Sequence, residues 1–82
     1  MREGCRDLIE QLKADKRNRT FKQLQKILEA NGFVMHPRSG GSHRVFKRPG
    51  VWARAELIEG SDPQLAPYVR GVIRALEECC DE

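Results

Sequence analysis

The stretch FVMHPRSGGSHRVFK, residues 33–47, decides the fold of this chain. It opens with strand-forming residues that stop at Pro37, passes through a turn rich in glycine and serine, and returns in a second run from Ser42 to Lys47. Proline cannot continue a central strand, and glycine and serine are residues that reverse a chain. The pattern predicts a β-hairpin over residues 33–47.

Two amphipathic helices are predicted before the hairpin. Apolar residues at helical spacing mark the first over residues 3–14, and a basic connector follows it. The second begins after Thr20, because Thr20 and Gln23 have the spacing of a capping box, and it ends where Gly32 follows Asn31. The two apolar stripes are Cys5, Leu8, Ile9 and Leu12, and then Phe21, Leu24, Ile27 and Leu28.

A third strand and a last helix are predicted after the hairpin. Residues 51–58 alternate apolar with charged side chains, as a strand with one solvated face does. Pro67 suits the first turn of a helix that runs to about Cys79. The order predicts an α+β fold, in which a three-stranded antiparallel sheet packs on helices in the order α-β-β-β-α, with an extra N-terminal helix.

Length and composition indicate a small globular protein. With 82 residues, 39% of them apolar and 33% charged, the chain is predicted to form effectively one domain, residues 1–82. It contains no run of about 20 apolar residues, and residues 1–4 lack the apolar core of a signal peptide, so we expect a cytoplasmic protein without a membrane partner. Cys5, Cys79 and Cys80 have no CxxC spacing, and we expect reduced thiols.

The charge is unevenly distributed along the chain. The net charge is +3, but basic residues dominate residues 13–26 and 30–55, whereas most of the acids follow residue 55. We therefore expect the basic groups to gather on one side of the fold, where they would attract a polyanion such as a nucleic acid. A solvated basic surface without any partner explains the same pattern.

One short segment could carry chemistry. The sequence has no P-loop, no HExxH and no glycine-rich dinucleotide motif, but His43 stands where the glycine-rich turn enters a strand, beside a basic stretch. Histidine exchanges protons near neutral pH, and the cations Arg44, Lys47 and Arg48 could hold a phosphate beside it. RNA cleavage by the neighbouring 2′-hydroxyl needs that combination and no metal. The alternative is a strand histidine that bonds a nearby carbonyl.

These residues resemble the HicA family of toxins. The resemblance lies in Gly32-Phe33 at the start of a strand, in Gly41-Ser42-His43, whose histidine is ten residues after Phe33, and in Val45-Phe46 after that triplet. The stretches 19–21 (Arg-Thr-Phe) and 66–70 (Ala-Pro-Tyr-Val-Arg) look like the starts of the first and last helices of the family. The resemblance covers roughly residues 18–77.

The resemblance implies a fold like a double-stranded RNA-binding domain over residues 18–80, after an N-terminal helix and connector at 1–17. It also implies metal-independent endonuclease action on messenger RNA without a cofactor, and neutralisation by a HicB-type antitoxin. The family's catalytic histidine corresponds to His43, with Gly41 and Ser42 as its motif neighbours. The third strand lacks the Val-Pro-x-His ending of many such toxins, which leaves His36 as the only other imidazole.

Further residues are candidates for contact with RNA. Trp52 and Tyr68 could stack on bases, although packing in or beside the core is the favoured interpretation because the chain has few aromatics. The basic residues predicted to bind RNA are Lys22, Lys26, Arg38, Arg44, Lys47 and Arg48.

Two other functions fit the same sequence. A non-catalytic RNA-binding module would bind RNA through the basic residues without cleaving it. An interaction protein would use its basic face to dock an acidic protein. The sequence leaves open whether the N-terminal helix mediates a homodimer.

Overall fold

The predicted order of elements is found in the computed structural model, which describes residues 3–37 and 41–79. The helices are α1 (Glu3–Ala14), α2 (Phe21–Ala30) and α3 (Ala66–Cys79), and the strands are β1 (Val34–Pro37), β2 (His43–Lys47) and β3 (Arg54–Ile58). The predicted α+β fold is confirmed.

Both ends of α2 follow the local chemistry of the sequence. The hydroxyl of Thr20 accepts a hydrogen bond from the backbone N–H of Gln23 at 3.2 Å, and the Gln23 side chain accepts one from the Thr20 N–H at 3.0 Å, which completes the capping box. Asn31 caps the other end, and Gly32 follows with a φ of 91°. A Cβ at Gly32 would lie 3.1 Å from Nε of the Arg48 side chain, which could shift, so glycine is favoured there chiefly by its backbone conformation.

The three strands form one antiparallel sheet in the order β1-β2-β3. His36 of β1 lies opposite Val45 of β2, and Val45 lies opposite Glu56 of β3. The predicted hairpin pairing is confirmed. The third strand begins at Arg54 rather than at residue 51, because the chain after β2 first turns, with the N–H of Val51 donating to the carbonyl of Arg48 at 3.2 Å.

The two faces of the sheet differ sharply in burial. Phe46, Ala55 and Leu57 point toward the helices and are at most 3% exposed. Because successive strand residues alternate between faces, the intervening residues lie on the opposite side, which we call the open face. It consists of Val34, His36, His43, Val45, Lys47, Arg54, Glu56 and Ile58. All of these except Val45 are exposed or half-buried.

The N-terminal helix shares the core of the rest of the chain. Cys5, Ile9 and Leu12 of α1 belong to the same buried cluster as the apolar residues of the sheet, α2 and α3. The Nζ atom of Lys13 lies 2.8 Å from a carboxylate oxygen of Glu77 on α3. That hydrogen bond, together with the attraction of the opposite charge, raises the pKa of Lys13.

A buried glutamine ties the end of β3 to the start of α2. Gln64 is 3% exposed, and its side-chain amide accepts from the N–H of Ile58 at 2.9 Å and donates to the Ile58 carbonyl at 2.6 Å. Its backbone N–H donates to the carbonyl of Arg19 at 2.7 Å. In the same loop, Asp62 accepts from the N–H of Phe21, the first residue of α2, at 2.7 Å. The loop therefore satisfies backbone groups that a strand edge and a helix end leave unpaired.

The expectation of three reduced thiols is wrong for Cys5, which is disulfide-bonded. Cys79 is a buried free thiol, and Cys80 lies outside the described residues. The sequence could not show this, because disulfide formation depends on the distance and direction of two cysteines in space and not on their spacing along the chain.

The expected packing of Trp52 is also wrong, since its side chain is 97% exposed. Trp52 follows the turn after β2 and precedes β3, so it lies where no regular element packs over it. Tyr68, in contrast, is half-buried and packs against the core as expected.

Candidate active site

His43 occupies the first position of β2, on the open face. Its Nδ1 atom contacts a carboxylate oxygen of Glu56 on β3. The two residues are diagonal neighbours, since Glu56 lies opposite Val45, two positions after His43. The side chains of His43 and Glu56 remain 53% and 40% exposed, so the pair is formed at a surface that a substrate can reach.

The contact with Glu56 defines which ring nitrogen of His43 is available. An ionised carboxylate accepts hydrogen bonds but cannot donate them, so Nδ1 of a neutral His43 carries the shared proton. The other nitrogen, Nε2, then holds a lone pair and can take up a proton. A histidine oriented by a carboxylate in this way is suited to act as a general base.

The turn that precedes His43 is held in place by Arg44. One guanidinium nitrogen of Arg44 donates to the carbonyls of Gly41 and His43 at 3.0 and 3.1 Å, and another lies 2.9 Å from a carboxylate oxygen of Glu59. The N–H of Glu59 also donates to the carbonyl of Ser42 at 2.8 Å. These bonds fasten the entry of β2 to the end of β3, and they fix the backbone that carries His43.

Two further groups share the open face with the His43–Glu56 pair. His36 lies opposite Val45 and is therefore a diagonal neighbour of His43 on the other side of β2.

Lys47 lies directly opposite Arg54. Like charges in that position repel each other. No hydrogen bond or ion pair of either cation is found within residues 3–37 and 41–79, and an anion between them would remove the repulsion.

The predicted RNA-binding residues do not share one surface. Of the three cations that follow His43, Lys47 lies on the open face, and Arg44 alternates to the other side of β2. Arg48 follows the end of β2, and its side chain lies beside Gly32. Lys22 and Lys26 are exposed on α2, in the helical layer. Arg38 lies outside the described residues. The basic groups thus divide between the open face and the helical layer rather than gather on one side.

A groove adjoins the His43–Glu56 pair where β3 meets α3. It has a volume of about 400 Å³ and is partly open to solvent. Its lining consists of Val45, Arg54, Ala55 and Glu56 from the sheet and Pro67, Tyr68 and Gly71 from α3. Glu56 belongs both to the groove and to the contact with His43.

Sequence reasoning predicted His43 but missed Glu56 and Arg54 as members of its surface. A strand alternation was visible at residues 54–58 and suggested that both side chains point to solvent. What the sequence did not show is the register between β2 and β3, which alone brings Glu56 beside His43.

Neither a metal site nor a membrane-spanning helix is found in the part of the chain that the structure describes. Within the described ranges, no three histidine, cysteine or acidic residues come together in a way that could hold a metal ion. None of the helices in those ranges combines the length and apolar character of a membrane span.

Comparison with known proteins points to the family that the sequence resembles. Residues 21–53 match the family model described as the HicA toxin of bacterial toxin-antitoxin. The matched stretch runs from the start of α2 to the residue before β3, and it includes the Gly41-Ser42-His43 triplet. No curated protein and no solved structure showed a significant match. The match confirms the resemblance to a HicA-type toxin of a toxin–antitoxin system, a kind of protein that acts with an antitoxin partner.

Proposed function

We propose, from the premise that the chain is a HicA-type toxin, that it is a metal-independent endoribonuclease that cleaves messenger RNA with His43 as its general base. The observation that supports this proposal most directly is the contact between Nδ1 of His43 and the carboxylate of Glu56 on an exposed sheet face. It supplies an oriented imidazole with a free Nε2, as a base requires.

The proposed reaction uses the hydroxyl next to the phosphate that is cleaved. Nε2 of His43 takes the proton of the 2′-hydroxyl, and the 2′-oxygen attacks the adjacent phosphorus. The bond from phosphorus to the 5′-oxygen then breaks, and that oxygen takes up a proton. The products are a 2′,3′-cyclic phosphate and a 5′-hydroxyl end.

His36 is the group that we assign to the second proton transfer. Attack and departure occur on opposite sides of the phosphorus, so one imidazole is poorly placed to serve both oxygens. His36 is exposed on the open face and diagonal to His43. The backbone positions of diagonal neighbours on a sheet lie about 7–8 Å apart, so both imidazoles can reach a phosphate bound on the open face. In its protonated form His36 donates to the departing 5′-oxygen.

Lys47 and Arg54 supply positive charge for the RNA backbone. They face each other on neighbouring strands, and together they form a site where a phosphate is attracted by two cations at once. Trp52, almost fully exposed just before Arg54, offers a ring on which an unpaired base can stack. Contacts of RNA with Lys22, Lys26, Arg38, Arg44 and Arg48 stay predictions.

The partner proposed for the toxin is a HicB-like antitoxin made beside it. An inhibitor that covers the open face would block access to Nε2 of His43 and would neutralise Lys47 and Arg54 with acidic side chains. The proposed substrate, messenger RNA, places the activity in the cytoplasm.

The proposal is tested by incubating a long single-stranded RNA in EDTA with the purified chain and with the variant His43→Ala. The wild-type chain is expected to cleave and to leave cyclic phosphate and 5′-hydroxyl ends. His43→Ala should be slower by about 10²- to 10⁴-fold, the usual contribution of a general base. Its folding and RNA binding should be unchanged, as verified by thermal unfolding and a gel shift.

One other function is favoured by the exposure of Trp52 and by the facing cations Lys47 and Arg54, because such groups can bind RNA whether or not it is cleaved. The same experiment separates the two functions. RNA that stays intact and is retarded equally by both proteins would identify a non-catalytic RNA-binding module.

A further inference from the structure

The groove between β3 and α3 has no part in the proton transfers, yet Glu56 joins it to the His43 pair. We propose that this groove binds one nucleobase of the RNA, that of a nucleotide next to the phosphate on which His43 acts. The inference rests on the proposed function for its position beside a scissile phosphate. The binding of a base in the groove is a separate matter and can be measured without any cleavage.

The apolar part of the groove suits the flat faces of a base. Val45 is 8% exposed and lies at the centre of the open face, between Glu56 and His36 on the neighbouring strands. Tyr68 is half-buried and packs against the core, so its ring is a fixed wall rather than a mobile surface group. An aromatic wall and an aliphatic neighbour are the surroundings in which proteins hold unpaired bases.

The polar part of the groove suits the edge of a base. Arg54 lines it, and its guanidinium has five donors with no hydrogen bond or ion pair found in the described part of the chain. The carboxylate of Glu56 can accept further hydrogen bonds in addition to the one from His43. Base edges present both acceptors and donors, and an arginine and a glutamate on one strand offer partners for both.

Gly71 keeps the groove open. It lies inside α3, where glycine weakens a helix relative to alanine. Nothing in the packing requires glycine here, because a Cβ at this position would meet no heavy atom within 4 Å. The space that a larger side chain would take is the groove itself.

Filling the groove provides the test. The wild-type chain and the variant Gly71→Leu are titrated with guanosine, adenosine, cytidine and uridine, and the backbone amide signals are followed by NMR. Nucleosides carry no phosphate, so any binding that is observed does not come from the attraction of Lys47 and Arg54 for the phosphates of RNA. Gly71→Ala, which adds a single methyl group, and Glu10→Leu, on an exposed position of α1 that does not line the groove, serve as matched controls.

We expect at least one nucleoside to shift the amide signals of residues around Tyr68 and Gly71 in a saturable manner. Gly71→Leu should bind it at least tenfold more weakly, whereas both controls should bind it as the wild type does. Arg54→Gln changes an exposed side chain of β3 and leaves α3 intact, and this variant should also weaken the binding although Gly71 is unchanged. The proposal is overturned if no nucleoside shifts these signals, or if a folded Gly71→Leu binds as the wild type does.

A cleavage experiment separates this proposal from the proposed function. With an RNA of randomised sequence, the wild-type chain should prefer certain bases beside the cleaved phosphate, and Gly71→Leu should lose that preference. Nucleoside binding in the groove without any cleavage would overturn the nuclease and leave the base site standing. Should Gly71→Leu instead bind nucleosides normally and lose affinity for the co-encoded antitoxin, the groove is a protein contact and the base site is wrong.

Discussion

Nδ1 of His43 contacts the carboxylate of Glu56 although the two residues are 13 positions apart, on neighbouring strands. The contact makes Glu56 a positioning residue for the proton transfer, because it sets the ring orientation and the tautomer of His43 without touching the reacting atoms. It also gives the imidazolium that forms during proton transfer a negative partner.

Replacement of that carboxylate should slow the chemical step. We expect Glu56→Gln to lower kcat by about 10- to 100-fold with little change in KM, since a misoriented base loses rate of this order. Glu56→Asp, which retains the charge, should recover part of the loss. Single-turnover cleavage of a defined RNA measures the effect, and Glu10→Gln on the exposed side of α1 is the control. An unchanged kcat in Glu56→Gln would mean that the contact between Glu56 and His43 has no role in the chemical step.

The role of His36 can be separated from that of His43 by the leaving group. We expect His36→Ala to lower kcat by about 100-fold on ordinary RNA, within the range for a lost general acid. A substrate with a bridging 5′-sulfur does not need a proton on the departing atom, so His36→Ala should cleave it nearly as fast as the wild type. His43→Ala should stay slow on both substrates. Equal defects of His36→Ala on both substrates would exclude the acid role.

Lys47 and Arg54, which face each other on neighbouring strands, should make the affinity for RNA more dependent on salt concentration. For single strands, each phosphate contact contributes about 0.7 to the slope of log K against log salt concentration. The double variant Lys47→Thr, Arg54→Thr in the His43→Ala background should therefore reduce the slope by about 1.4. Fluorescence anisotropy at several salt concentrations measures it, and Arg74→Thr, exposed on α3, is the control. A slope that stays the same would show that RNA does not pass between Lys47 and Arg54.

Loss of the Gln64 amide should destabilise the fold. In Gln64→Leu, the N–H and the carbonyl of Ile58 lose their partners at the end of β3. Leaving such groups unpaired costs about 1–3 kcal/mol each, and for a chain of this size every kcal/mol lowers Tm by about 4–8 °C. Leu65→Ala, next to it and 64% exposed, should change the free energy of unfolding by less than about 0.5 kcal/mol. Equal thermal unfolding of the two variants would contradict the assigned role.

The sequence by itself determined the elements of the fold and their order. The capping box at Thr20, the stop at Gly32 and the apolar stripe of each helix are local features, because they depend on residues within a few positions of one another. The hairpin was equally visible, since its strands are close in sequence. His43 was found through its position at the end of a glycine-rich turn and through the family's motif, which lies within residues 21–53.

Tertiary structure decided what surrounds His43. The register of β2 against β3 brings Glu56 beside it, and a slip of one residue would have sent Glu56 to the other face of the sheet. The same pairing places Arg54 opposite Lys47, while Arg44 is drawn to Glu59 on the far side. Contacts of this kind join residues distant in sequence, and their geometry is fixed only when the core packs. The sequence therefore determined the histidine, and the packed sheet determined its partners.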